Sequence, residues 1–276
     1  MRRHHHDQPL VEFTSLAIGG AGLAGVAAAA VPDVTMAWPF VATGAGLLAA
    51  GVLRSLGHLG RRTRAPQAWR GMGRSPLTHE ILLAMLLLGS CGLMLALAAT
   101  GRPTGLLRAP TAVLAAAFLV SIGFVYRLPG QPAWRGAAAW TPLTAGLAFG
   151  AIAITSFAAT SLRLPMALPP VPRTIALGAV ALDTLTFLLR CVALRRIRLA
   201  AARIDPPDWF AHPIAALATR VVLLDVVPAA SIMLGPAPLF VFVAALGLWV
   251  DRSSFYALTA PHSTEAEIAR VELLIE

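Results

Sequence analysis

The chain has 276 residues, 57% of them hydrophobic and 13% charged, and its net charge of +9 comes from arginine alone, since lysine is absent. With a mean hydropathy of +0.73 this composition excludes a soluble globular domain and points to a polytopic membrane protein. Basic character in such a chain sets topology and offers a docking surface; it does not argue for nucleic acid.

A membrane-crossing helix needs about 20 mostly apolar residues. Eight stretches qualify: residues 10–31, 37–58, 77–99, 109–128, 140–160, 174–194, 214–233 and 237–258. They are too long and uniformly apolar for barrel strands, and open sheet edges cannot face lipid, so the expected fold is an all-α bundle of eight transmembrane helices forming one domain over 1–276. No cleavable signal peptide is expected, because no small-residue cleavage site precedes the second span. In the first span Gly19, Gly20, Gly22 and Gly25, with Gly44 and Gly46 in the second, predict close helix–helix approach. Ser75-Pro76 opens the third span as cap and first-turn proline, and Thr141-Pro142 opens the fifth in the same way. In the seventh, Pro228 predicts a bend. Cys91 and Cys191 each fall inside a span and read as small packing residues.

Arginine fixes the orientation. With the N-terminus on one side, that side receives 15 arginines and the other only Arg102, Arg108, Arg163 and Arg173. Arg54, Arg190 and Arg220 lie near the arginine-rich ends of their helices, where they are expected to snorkel. The positive-inside rule then puts both termini in the cytoplasm, in a bacterial inner membrane. Trp69, Trp134, Trp140, Trp209 and Trp249 fall on the same side, and only Trp38 on the other; an aromatic belt explains some of this bias, which also fits a surface meeting another protein.

The densest basic loop carries Arg61, Arg62, Arg64, Arg70 and Arg74, with His58 at the end of the second span and Glu80 in the first turns of the third. A quinone needs hydrogen-bond partners at its carbonyls and moves protons together with electrons, and a histidine and a carboxylate at the membrane boundary suit both needs. The same residues also suit the helix macrodipoles. His79, one position before Glu80, points about 100° away from it. A haem held by His58 and His79 is disfavoured, because both lie at the helix mouths. Deeper in the spans Asp183 and Asp225 are functional candidates by default, read either as members of a buried clamp with Arg220 or Arg190 or as proton-conducting groups. Asp251-Arg252 reads as an ion pair at the membrane–water interface.

The ordered string Leu56-Gly57-His58-Leu59-Gly60, a basic loop, and Ser75-Pro76-Leu77-Thr78-His79-Glu80 resembles the membrane-anchor subunit family of DMSO reductase. Pro9-Leu10 with Phe13-Thr14, Val125-Tyr126, Trp140-Thr141-Pro142, Arg220, and Arg252 with Phe255-Tyr256 extend the likeness over nearly the whole chain. The resemblance implies a quinone-reactive anchor, with menaquinone or ubiquinone at His58 and Glu80, assisted by Arg64 and Arg220. It implies no haem or metal of the chain's own. Iron–sulfur clusters and molybdopterin would reside in two partner subunits, docked on Arg61, Arg62, Arg70, Arg74, Arg195 and Arg196. The arginine bias departs from DMSO reductase, whose catalytic face is outside. It matches instead complexes with cytoplasmic catalytic subunits, such as membrane sulfite dehydrogenase, where electrons run from substrate into quinone. Two rival readings stand beside this one: a secondary transporter using Asp183, Asp225 and Arg220, and a non-catalytic scaffold.

Overall fold

The computed structural model describes residues 4–31, 34–55, 75–125, 136–161, 170–201, 213–234 and 239–257, and every regular element among them is helical. Helices α1 (His4–Ala30), α2 (Val34–Ser55), α3 (Pro76–Ala99) and α4 (Gly105–Val125) are followed by a 3-10 turn at Gly136–Ala139. Then come α5 (Thr141–Ser161), α6 (Pro170–Ala201), α7 and α8 (Leu239–Ala257). Helix α7 is continuous but has three parts, with a π turn at Val222–Val226 between α-helical Pro213–Val221 and Val227–Leu234. The π turn lies just ahead of Pro228, which has no N–H to donate to residue 224 and whose ring displaces that carbonyl; the widened turn absorbs the clash. At the place of the expected bend the helix has a π segment.

Among the described residues six helices are long and apolar enough to cross a bilayer: Gln8–Ala30, Met36–Ser55, Pro76–Ala99, Gly105–Val125, Arg173–Arg195 and Leu239–Tyr256. The apolar part of α5, Thr141–Phe157, is shorter. The outer surface is as apolar as these lengths require. On α3 it shows Leu82, Met85, Leu86 and Leu93, and on α6 Leu182, Leu185, Leu189 and Val192. A soluble protein rarely exposes such continuous apolar surface, so the bundle is built to be solvated by lipid, as in a multi-pass membrane protein.

Helix α1 is the axis of the bundle. Every residue from Ala17 to Ala28 is buried, because α2, α4, α5 and α8 all pack on it. Small residues make that possible. A Cβ on Gly44 would meet the Gly20 carbonyl oxygen at 2.6 Å, and one on Gly22 would overlap the backbone of Gly146 outright. The expectation of close approach drawn from these glycines holds for Gly19, Gly20, Gly22, Gly25 and Gly44. Gly46 faces open space.

Cross-helix contacts show that neighbours alternate in direction. Glu12 pairs with Arg54 across α1 and α2, and the Arg108 Nε donates to the Ala28 carbonyl at 2.9 Å across α1 and α4. Ser90 and Thr111 share a hydrogen bond of 2.6 Å between α3 and α4. The Arg173 guanidinium donates to the Met233 carbonyl at 3.1 Å between α6 and α7. One end of the bundle thus gathers the starts of α1, α3, α5 and α7 and the ends of α2, α4, α6 and α8. Glu80 and the Glu12–Arg54 pair lie towards that end, and a buried ion cluster reaches from it to mid-helix positions on α6 and α7.

Candidate functional site

Two arrangements of polar side chains stand out. The first is Glu80, on the fifth residue of α3. Thr78, Glu80, Ala84, Leu87, Cys91 and Met94 form the buried stripe of that helix, so the carboxylate belongs to its inward face. Its side chain is only 3% exposed. Its Oε1 atom has no hydrogen-bond partner among the described residues. A buried polar atom left without a partner costs about 1–3 kcal/mol, so such a group awaits a donor from elsewhere. His79 is exposed, as the 100° helical step requires. His58, Arg61, Arg62, Arg64, Arg70 and Arg74 lie outside the described residues, as does the side chain of Arg196; Arg195 is exposed.

The second arrangement is a buried ion cluster built by α5, α6, α7 and α8. On α6 the stripe Val180, Asp183, Phe187, Arg190 and Leu194 faces inward at spacings of three and four. Arg220 sits at its centre. Its Nη1 donates to Asp225, its Nη2 to Asp183, and its Nε to Asp251 at 3.4 Å. Asp251 also accepts from Arg190 Nη1 at 3.1 Å and from Arg252 Nε at 2.9 Å. Arg252 reaches the Thr141 hydroxyl at 2.9 Å, and the Thr144 hydroxyl donates to Asp183 at 2.8 Å. Aromatic faces complete the shell: Phe187 lies 4.2 Å from the Arg220 guanidinium carbon, and Phe255 4.7 Å from that of Arg252.

This cluster holds three guanidiniums (Arg190, Arg220, Arg252) and three carboxylates (Asp183, Asp225, Asp251), a formal balance of zero. Balance is what permits the burial, because an isolated charge at this depth would cost several kcal/mol. Asp225 Oδ1 and Arg190 Nε are the atoms of the cluster with no partner among the described residues.

Two expectations are corrected here. Arg190 and Arg220 do not snorkel; at 1% and 0% exposure they are drawn inward by carboxylates that outbid the headgroup region. The expected Asp251–Arg252 pair forms, but it is buried and does not stand alone. Asp251 is fully buried and joins all three arginines. The expected Asp183–Arg clamp is present, with Arg220 as the partner; Arg190, seven residues along the same face of α6, pairs with Asp251 instead.

Sequence reasoning missed the Glu12–Arg54 pair, although a signal was available. The two residues lie 21 positions either side of position 33 in the chain, so an antiparallel pairing of α1 and α2 places them level. Glu80 and the ion cluster lie on different flanks of α1. Helix α3 packs chiefly on α2 and α4, whereas α7 packs chiefly on α8. Arg220 is therefore engaged with carboxylates on a flank away from Glu80. Among the described residues no group of three or more histidine, cysteine or acidic side chains could hold a metal ion. Cys91 is a buried free thiol in the α3 stripe and Cys191 is half-buried. No family model matches the chain, and no curated protein matches it either.

Proposed function

We propose that the chain is a quinone-reactive membrane anchor, crossing a bacterial inner membrane eight times with its arginine-rich end in the cytoplasm. At that end it holds an iron–sulfur subunit and, through it, a molybdopterin subunit. The observation that carries this reading is Glu80: an inward-facing carboxylate near the start of α3, the helix that follows the basic stretch in the chain, with one oxygen left without a partner among the described residues. A quinone brings two-electron redox chemistry coupled to two protons. Glu80 would hold the proton nearest the ring, and His58 would supply the opposite hydrogen bond. Arg64 would add positive charge beside the site, and the remaining loop arginines, with Arg195 and Arg196, would dock the electron-transfer partner.

Glu80→Gln keeps the shape of the side chain and removes its proton chemistry. In the native complex it is expected to lower quinone-linked turnover by about 10²-fold, the scale of a general acid–base contribution, with subunit assembly intact. His58→Ala is expected to act in the same direction. Unchanged turnover in both variants would contradict the role assigned to these residues, and loss of assembly would make them structural.

The secondary-transporter reading draws on the depth of Asp183 and Asp225 and on the π turn that carries Asp225, since π turns are frequent at functional sites. The one-to-one balance of the cluster and the many partners of Arg220 favour a clamp that locks α6, α7 and α8 together.

A further inference from the structure

A groove of about 520 Å³ runs over α1 between α2 and α8, its back formed by Phe149 of α5. Ala50 on one wall and Trp249 on the other are exposed at the outer surface, so the groove opens sideways to the lipid. Its volume lies within the range of small-molecule sites, and its lining is largely apolar. The polar groups gather at the end nearest the helix mouths: the Glu12–Arg54 pair and Ser15.

Ser15 is the unusual member. A serine or threonine inside a helix normally returns its hydroxyl to a carbonyl one turn back, as Thr14 does to Leu10 at 2.8 Å. Ser15 does not; its Oγ is buried and has no partner among the described residues. Arg54 gives its Nε to Glu12 and carries further N–H donors on the same fork. Because Glu12 and Arg54 neutralise each other, the groove offers no net charge to an anionic headgroup, and the Glu12 carboxylate opposes a phosphate. The fitting occupant is instead neutral and flat, with a carbonyl oxygen to accept from Ser15 or Arg54, aromatic faces to lie against Phe149 or Trp249, and an apolar tail.

We propose that this groove takes the ring and the first tail units of an isoprenoid quinone arriving laterally from the bilayer. The identity of the occupant rests on the anchor reading; the place does not, since the groove lies on the α2–α8 flank rather than on α3. The groove ends at Arg54, four positions before His58 in the chain, so a ring held there is close along the sequence to the loop assigned to redox exchange.

Photolabelling tests the proposal. The full chain in nanodiscs of zwitterionic phospholipid is exposed to an azido-bearing isoprenyl quinone and the label is mapped by peptide mass spectrometry. Saturable label is expected on residues 12–19 or 245–249, competed by unlabelled quinone. Ala50→Phe, which fills the groove from an exposed position, is expected to reduce that label by about tenfold, the loss of a well-filled apolar contact. Ser15→Ala is expected to weaken competition by about fivefold, the scale of one hydrogen bond. Saturable label confined to the start of α3 would overturn the groove and leave the anchor reading standing. Label in the groove that added phospholipid competes as well as quinone does would make it a lipid site and overturn the proposal. Saturable label nowhere on the chain would count against both readings.

Discussion

Replacing Arg220 by methionine is expected to destabilise the bundle by about 3–5 kcal/mol, the cost of removing one partner from a buried charge set. Arg220 donates to Asp183, Asp225 and Asp251 at once. Without it Asp251 keeps Arg190 and Arg252, and Asp183 keeps the Thr144 hydroxyl. Asp225 loses the guanidinium that balances it, at a π turn that has already exchanged regular α-helical bonding for a looser pattern. The variant should therefore lose yield and show a lower thermal midpoint in detergent. A second substitution decides whether charge is the reason: Arg220→Met with Asp225→Asn returns the cluster to a balance of zero and is expected to recover part of the loss. A midpoint unchanged in Arg220→Met would contradict the clamp. No recovery in the double variant would mean that Arg220 acts through packing on Phe187 instead.

Gly22→Val is expected to be comparably damaging for a different reason. The added Cβ would enter the backbone of Gly146 on α5, and Gly150 lies against Gly22 from the same helix. Overpacking against a movable side chain costs about 1–3 kcal/mol, and here the obstacle is main chain, which can yield only by separating α1 from α5. Since α1 is the axis on which α2, α4 and α8 also rest, the whole bundle loosens. The expected result is an aggregated or protease-sensitive product on size-exclusion chromatography. Gly46→Val is the control. Nothing lies within 4 Å of a Cβ there, so this variant should elute like the parent. Equal behaviour of the two valine variants would contradict the account of helix packing.

What the sequence disclosed, and what it withheld, follows from the physics of each feature. Helix positions were legible because a bilayer imposes length and apolarity on a span; each of the eight apolar stretches has a helix at its place, and six of the described helices are long and apolar enough to cross. The opposed faces of His79 and Glu80 were legible too, since a one-residue step on a helix is a fixed rotation. The pairing inside the ion cluster was not. Position along a span gives depth but no neighbour, so Asp251, near the end of α8, read only as the interface partner of Arg252. A hairpin count would have helped: Arg220 lies 16 positions before Pro236 and Asp251 lies 15 after it, so an antiparallel pairing of α7 and α8 sets them level. The groove was beyond the sequence altogether. It is a gap between α2 and α8, helices far apart in the chain, and it exists because both rest on α1 without closing over it.

The central claim is that this chain anchors redox partners at its arginine-rich end. Purification from the native membrane in mild detergent, with subunit identification and iron and molybdenum analysis of the eluted material, tests it most directly. The account predicts an iron–sulfur protein and a molybdopterin protein co-eluting with the chain, with both metals bound. Elution of the chain alone and metal-free across several detergents would contradict it. Transport assays on Asp183 and Asp225 variants would then be the next measurement.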